Sequence, residues 1–175
     1  MKTDPRVLIN YLHVNCVRNI AIHRGITEFS NTPAFAMNTW RVLSNSAIDM
    51  AIIEWCSLFG TYGENNSTHW LNCECKWIDD RSMFIADVLS PVDVSFDDWQ
   101  SYHNKLVTYR NKNVAHLDVD DWRRDVPKLE IALSVLFRSY EIFIKDVDLA
   151  KKLQVEYDRA YKEACSVVEA ALKKC

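Results

Sequence analysis

Apolar residues recur along most of this chain at steps of three and four, the spacing that lays side chains along one face of an α-helix. Between Leu129 and Val147, the positions Leu129, Leu133, Leu136, Tyr140, Phe143 and Val147 form one such stripe. A last helix repeats the rule with smaller residues, Leu153, Tyr157, Ala160, Ala164, Val167 and Ala171, which suit close packing on a neighbour. A second helix carries two stripes: Trp40, Leu43, Ala47 and Met50 on one side, Ile48, Ile52, Trp55 and Phe59 on another. It is predicted to be the most buried helix, its extra apolar face covered by a central place in the bundle or by a partner subunit. Asp49 and Glu54 on that helix are expected to point out of the stripes, solvated or paired, because carboxylates are seldom buried alone. The alternative is a supporting role behind a functional site. No stretch alternates with the period of a strand, and no repeat occurs.

The helix breakers agree with an all-α fold. There are only three glycines and four prolines, and each proline sits where a helix is able to begin. Asp4-Pro5 and Thr32-Pro33 each pair a capping side chain with a proline, and Ser95 with Asp98 resembles a capping box. Gly25 reads as an early stop or kink in the first helix, while Gly60 and Gly63 close the second and lead into the polar loop 64–68. The expected architecture is a single all-α domain over residues 1–175, an antiparallel helical bundle with an additional C-terminal helix.

Composition narrows the class only a little. With 26% charged and 49% hydrophobic residues the chain is ordinary soluble protein, and a net charge of -3 argues against coating nucleic acid through bulk charge. The N-terminus lacks the apolar core of a secretory signal, and no uninterrupted apolar run approaches a membrane span, so a cytoplasmic protein is expected. In that compartment the six cysteines read as reduced thiols. His69, Cys73 and Cys75 hold potential zinc ligands, but one residue between the cysteines is poor spacing and no fourth ligand is evident, so no metal is expected. Of the six tryptophans, Trp40, Trp55 and Trp99 fall on apolar stripes, leaving Trp70, Trp77 and Trp122 as candidates for stacking or interface contacts.

The densest chemistry lies in the stretch from Tyr109 to His116, where Arg110, Asn111 and His116 bring a cation, an amide and an imidazole within two helical turns. Arginine's planar fork matches phosphate oxygens, and histidine exchanges protons near neutrality. Counting from Phe96 places Phe96, Trp99, His103, Leu106, Arg110 and Asn113 on one face, directing Arg110 inward or into an interface. A straight helix leaves His116 roughly 120° from Arg110, so convergence requires local unwinding near Asn111 and Asn113, arginine's length, or a second copy of the motif. The competing reading pairs Arg110 with Asp118 or Asp120 and makes His116 a helix cap. Lys105, Lys112, Arg123 and Arg124 are offset by Asp118, Asp120, Asp121 and Asp125, so no clear second basic cluster is expected near the motif.

The Arg-Asn element followed, after four intervening residues, by His, near the end of a bundle helix, resembles the signature of the HEPN superfamily. Glu54-Trp55-Cys56-Ser57-Leu58-Phe59-Gly60, followed after a polar loop by His69-Trp70, is similar to the branch found in bacterial abortive-infection proteins. The resemblance spans Pro33 to Val147, placing the domain core at about 33–147 between flanking N- and C-terminal helices. It implies a homodimer whose facing motifs form a metal-independent ribonuclease site of toxin or antiphage type, with no cofactor. His116 would exchange the proton of a ribose 2′-hydroxyl or of the leaving 5′-oxygen, Arg110 would stabilise phosphate charge, and Asn111 would orient one of them. Tyr109, Lys112 and His103 are the accompanying candidate substrate contacts. RNA is the expected substrate, and an antitoxin or sensor protein an expected partner. A non-catalytic HEPN-like module binding a nucleotide, RNA or protein is the alternative, and a purely structural helical bundle recruiting another helical protein is a third reading.

Overall fold

The computed structural model describes residues 4–32, 38–64, 67–72, 81–115, 126–144 and 147–173. Among them the chain is all-helical: α1 (Pro5–Thr27), α2 (Asn38–Phe59), α3 (Arg81–Leu89), α4 (Phe96–Tyr109), a π-helical turn (Arg110–Ala115), α5 (Glu130–Ile144) and α6 (Val147–Leu172). Two of the three expected starts are realised. Asp4 accepts from the Arg6 amide at 2.9 Å with Pro5 opening α1. Ser95 accepts from the Asp98 amide at 3.1 Å and donates to the Asp98 carboxylate at 2.6 Å, closing the box at the start of α4. The third, at Pro33, lies outside the described residues. Pro91 and Pro127 differ from expectation, occupying the connections ahead of α4 and α5 instead of first helical positions.

Helix α1 is the hub, packing against α2, α5 and α6. Its partners show the directions of the helices. His13 meets the Phe59 ring at 6.2 Å and His23 bonds the Ser44 hydroxyl at 2.9 Å, so α1 and α2 run antiparallel. Tyr140 donates to Asn10 and Arg24 pairs with Glu130, so α5 also runs against α1. By contrast Arg18 pairs with Glu156 and Gly25 abuts Ala164, numbers that rise together. Thus α6 joins the bundle parallel to α1, a departure from a uniformly antiparallel arrangement.

Gly25 is neither a stop nor a kink, for α1 continues to Thr27. A Cβ there would lie 2.8 Å from the Ala164 Cβ and 2.9 Å from the Tyr161 carbonyl oxygen. The glycine is therefore the notch that lets α6 approach. That approach also selects which residues of α6 turn inward. Leu153, Ala160 and Val168 are buried while Val167 is 58% exposed, because the row continues from Ala164 by four residues and not by three.

The expectation for α2 is half right. Ile48, Ile52, Trp55 and Phe59 are core, but the other stripe splits: Ala47 is buried, whereas Leu43 and Met50 are 47% and 46% exposed. Burial is concentrated in the C-terminal half, where α1 and α4 cover it from two sides. Thr39–Phe59 has the length and apolarity of a membrane span, with 56% of its most apolar window buried inside the bundle, as a core helix would be. Glu54 contradicts the outward reading; it is only 6% exposed and accepts from the Asn19 amide at 3.0 Å. The carboxylate is tolerated because α1 supplies that partner, and burial pushes its pKa up to about 7. Asp49 is paired, as expected, with the Tyr109 hydroxyl.

Candidate nucleic-acid site at the end of helix α4

The buried residues of α4 are Trp99, Tyr102, Leu106 and Tyr109. This face is rotated from the predicted one: Phe96 is 59% exposed, while His103 and Arg110 flank the buried row. The two tyrosines explain the rotation, because each carries its hydroxyl to a partner across the bundle. Tyr102 donates to the Lys128 carbonyl at 2.6 Å and accepts from the Ala132 amide at 3.3 Å, pinning the start of α5. Tyr109 donates to the Asp49 carboxylate at 2.9 Å, fastening the end of α4 to α2. Helix spacing gives the apolar row, but not which phenols find distant acceptors.

Immediately after Tyr109 the chain widens into the π-helical turn. Such insertions mark places where regular helical phase is abandoned, often beside functional groups. Local unwinding is one of the three ways of bringing Arg110 and His116 together, and the π-helical turn begins at Arg110. The Arg110 guanidinium donates through Nε and Nη2 to the Asn111 side-chain oxygen at 3.0 and 2.7 Å. Asn111 thus fixes the plane of the fork, and the other N–H donors have no partner among the described residues. No carboxylate among the described residues pairs with Arg110. His116, Asp118 and Asp120 lie outside the described residues. Behind this corner, burial pushes the Cys56 thiol up to about 11, with the Arg110 guanidinium pulling in the opposite direction. Cys56 is therefore a packed thiol at neutral pH, not a nucleophile.

A cleft of about 1280 Å³ runs along α4 to the connection that precedes α5. Lys105, Lys112 and Lys128 line it, with Asn104, Thr108 and Asn113 among the polar groups between them and Glu130 the acid among its described lining residues. Lys105 and Lys112 are seven residues apart, two turns on one face, so that half was legible as periodicity. Lys128 reaches the same cleft only because Tyr102 holds its backbone, a placement that no local pattern announces. The basic cluster that the sequence did not reveal is thus assembled from two distant segments.

The three candidate substrate contacts do not converge. Tyr109 and Lys112 line the lysine cleft, Tyr109 with its hydroxyl committed to Asp49. His103 lies on another wall, donating from Nε2 to the Phe59 carbonyl at 2.7 Å beside the Trp55 and Trp99 rings. His69 also has an assigned place. Its Nε2 donates to the Gly60 carbonyl at 3.0 Å and its Nδ1 accepts from the Leu71 amide at 3.2 Å, leaving no lone pair for a metal. Cys73 and Cys75 lie outside the described residues, among which no group of three potential metal ligands forms. Trp70 stacks on Phe84 at 4.7 Å, while Trp77 and Trp122 are also outside the described residues.

Fold and site together define a class: an all-α bundle with a lysine-lined cleft along α4 and an amide-oriented arginine at the end of that helix. Comparisons with protein-family models, with curated proteins and with solved structures find no match to the chain.

Proposed function

We propose that the chain is a cytoplasmic, metal-independent endoribonuclease of toxin or antiphage type in the HEPN manner, working as a homodimer. The observation that carries this reading is the Arg110 fork, held by Asn111 on a π-helical turn whose neighbours Tyr109 and Lys112 line a cleft with two further lysines. A phosphodiester strand supplies the anions that such a cleft attracts. Arg110 offers its remaining donors to a phosphate on which negative charge grows as a fifth oxygen approaches. In this reading His116 removes the 2′-hydroxyl proton, the 2′-oxygen attacks phosphorus, and the P–O5′ bond breaks as the 5′-oxygen takes a proton from water or from the protonated His116 of the second copy. The products are a 2′,3′-cyclic phosphate and a 5′-hydroxyl, and DNA is inert for want of the nucleophile.

The second copy has a candidate face. Val42, Leu43 and Met50 expose apolar side chains on α2 close to Asp49, the residue that anchors Tyr109. Covering them with a partner would bring two Arg110 motifs near one another. Met50→Glu tests that face, with a shift from dimer to monomer in sedimentation as the expected outcome.

Wild type, Arg110→Ala and His116→Ala are incubated with total RNA and tRNA in EDTA, and the new ends are mapped by phosphate chemistry. Cleavage by wild type alone, leaving cyclic phosphate, is the expected result. A strictly monomeric protein at micromolar concentration removes the composite site and with it this mechanism. Retained RNA binding without cleavage by folded dimer shifts the reading to a non-catalytic module using the same cleft.

A further inference from the structure

A second, smaller cleft of about 350 Å³ lies on the other side of α4 from the lysines. Rings dominate its walls, among them Tyr62, His69, Trp70, Phe96, Trp99 and His103. Two of them are kept in water, Tyr62 at 48% exposure and Phe96 at 59%, which is costly for rings that serve only as core. The volume is too small for a helix about 10 Å across and suits one planar group. Polar chemistry is sparse and specific. The Phe59 carbonyl fixes the proton of His103 on Nε2, so the neutral ring keeps its Nδ1 lone pair, which has no partner among the described residues. Gln100, exposed on the same wall, adds an amide that both donates and accepts. Directly behind the wall, packed on Phe59, Trp99 and His103, the Trp55 indole N–H is a buried donor without a partner among the described residues.

We infer that this cleft takes a single unstacked nucleobase from the RNA strand held at Arg110, and so serves as a base-selecting subsite. The inference rests on the ribonucleic-acid reading above. Rings with exposed faces offer stacking to any base, while an amide and an imidazole acceptor match the donor and acceptor pattern of a base edge. Position supports the assignment. His103 and Arg110 are seven residues apart on α4, which places them about 20° apart around the axis and about 10 Å apart along it. A strand covers that distance in about three nucleotides at the stacked rise of about 3.4 Å. A phosphate at Arg110 and a base in the aromatic cleft would hold the strand along one face of α4.

The test is titration with 2′-O-methyl hexaadenylate, which the 2′-hydroxyl mechanism is unable to cleave, following tryptophan fluorescence and, with a labelled strand, anisotropy. An abasic strand of equal length and hexauridylate are run beside it. Base-bearing strands are expected to quench the tryptophans while the abasic strand binds without quenching. Tyr62→Ala and Gln100→Ala, both exposed positions whose melting temperature checks the fold, are expected to weaken binding about tenfold and diminish the quench. Arg110→Ala is expected to weaken all strands alike and keep the quench at saturation. Binding without quenching, unaffected by Tyr62→Ala and Gln100→Ala, overturns the subsite and leaves the ribonuclease reading intact. Absence of any RNA binding overturns both.

Discussion

The two sides of the bundle spend their side chains differently. Around α1, helices meet through small residues and fully enclosed aliphatics: Gly25 against Ala164, Cys16 donating to the Ala51 carbonyl at 3.2 Å, and Ile20, Ile48, Leu136 and Leu153 out of water. Around α4, tyrosines, tryptophans and histidines dominate, and cations line the adjacent cleft. The first side has its polar groups satisfied within the protein. Even His13 is enclosed, bonded to the Ile9 carbonyl and the Ser139 hydroxyl among Phe59, Tyr140 and Phe143. Among the described residues, the second side leaves donors over at Arg110 and an acceptor at His103. Stability should therefore reside mainly around α1 and binding around α4, and substitutions can break that division.

The largest effect is expected from Leu136→Ala. The side chain is fully buried between α5 and the hub, and its removal leaves a cavity in a close-packed interior. A loss of about 3 kcal/mol is expected in urea unfolding, with the midpoint lowered and the slope unchanged. Phe96→Ala on the other side should cost under about 1 kcal/mol, since the ring is mostly in water already. Equal losses at the two positions would show that the aromatic side is core as well.

Glu54 and His13 sharpen the comparison through pH. The folded pKa of Glu54 lies near 7, above its ordinary 4.5, so the wild type loses stability as pH rises from 4.5 to 7. Burial lowers His13 from 6.5 to about 4, so this group's contribution to stability is lost as pH falls from 6.5 to about 4. His23 and His69 are also lowered chiefly by burial and act in the direction of His13. Glu54→Gln keeps an acceptor for Asn19 and discards the desolvated charge. It should stabilise by roughly 2 kcal/mol at pH 8, leave stability near pH 4 unchanged, and expose a steeper rise between pH 4 and 6.5. A pH-independent gain would mean that Glu54 titrates alike in the folded and unfolded protein, as a solvated carboxylate does.

What could be read from the sequence follows the range of the interaction concerned. Caps at Asp4 and Ser95 involve neighbours two and three residues away, and both were legible. The all-helical class was legible too, because periodicity is local. The rotation of α4, the parallel course of α6 and the burial of Glu54 depend on Asp49, on Gly25 and on Asn19, each far along the chain from what it meets. At the site, Arg110, Asn111 and Lys112 were found through a local motif, whereas Lys128 was missed because it arrives from beyond a separate segment. Val167 was misassigned for a related reason: a step of three and a step of four are equally helical, and only the partner helix chooses between them.

Gly25→Ala asks whether the hub needs its notch. In an isolated helix the change should help by about 1 kcal/mol, since alanine is the better helix former. Here the new methyl would meet Ala164 and the Tyr161 carbonyl below ordinary contact distance, so α6 must move outward. A net loss of roughly 1–2 kcal/mol is expected by thermal or urea unfolding. Ala164→Gly in the same protein should recover part of it by removing one of the two obstacles, leaving the carbonyl contact. Additive losses in the double variant would place the defect elsewhere.

The smallest stability effect is expected at Arg110, and it carries the most information. Arg110→Ala removes a half-exposed side chain whose bonded partner is the adjacent Asn111, so unfolding should change by no more than about 0.5 kcal/mol. Under the ribonuclease reading the same change should lower cleavage by at least about a hundredfold, because donors aimed at developing phosphate charge act mainly in the transition state. Arg110→Lys separates the two contributions of that side chain. Lysine keeps the charge but lacks the planar fork that Asn111 holds, so RNA binding should fall little while cleavage stays low. If lysine restores cleavage, charge alone suffices and the Asn111 bond is incidental. If lysine behaves as alanine in cleavage but as arginine in binding, the fixed plane of the guanidinium is what the π-helical turn is built to present.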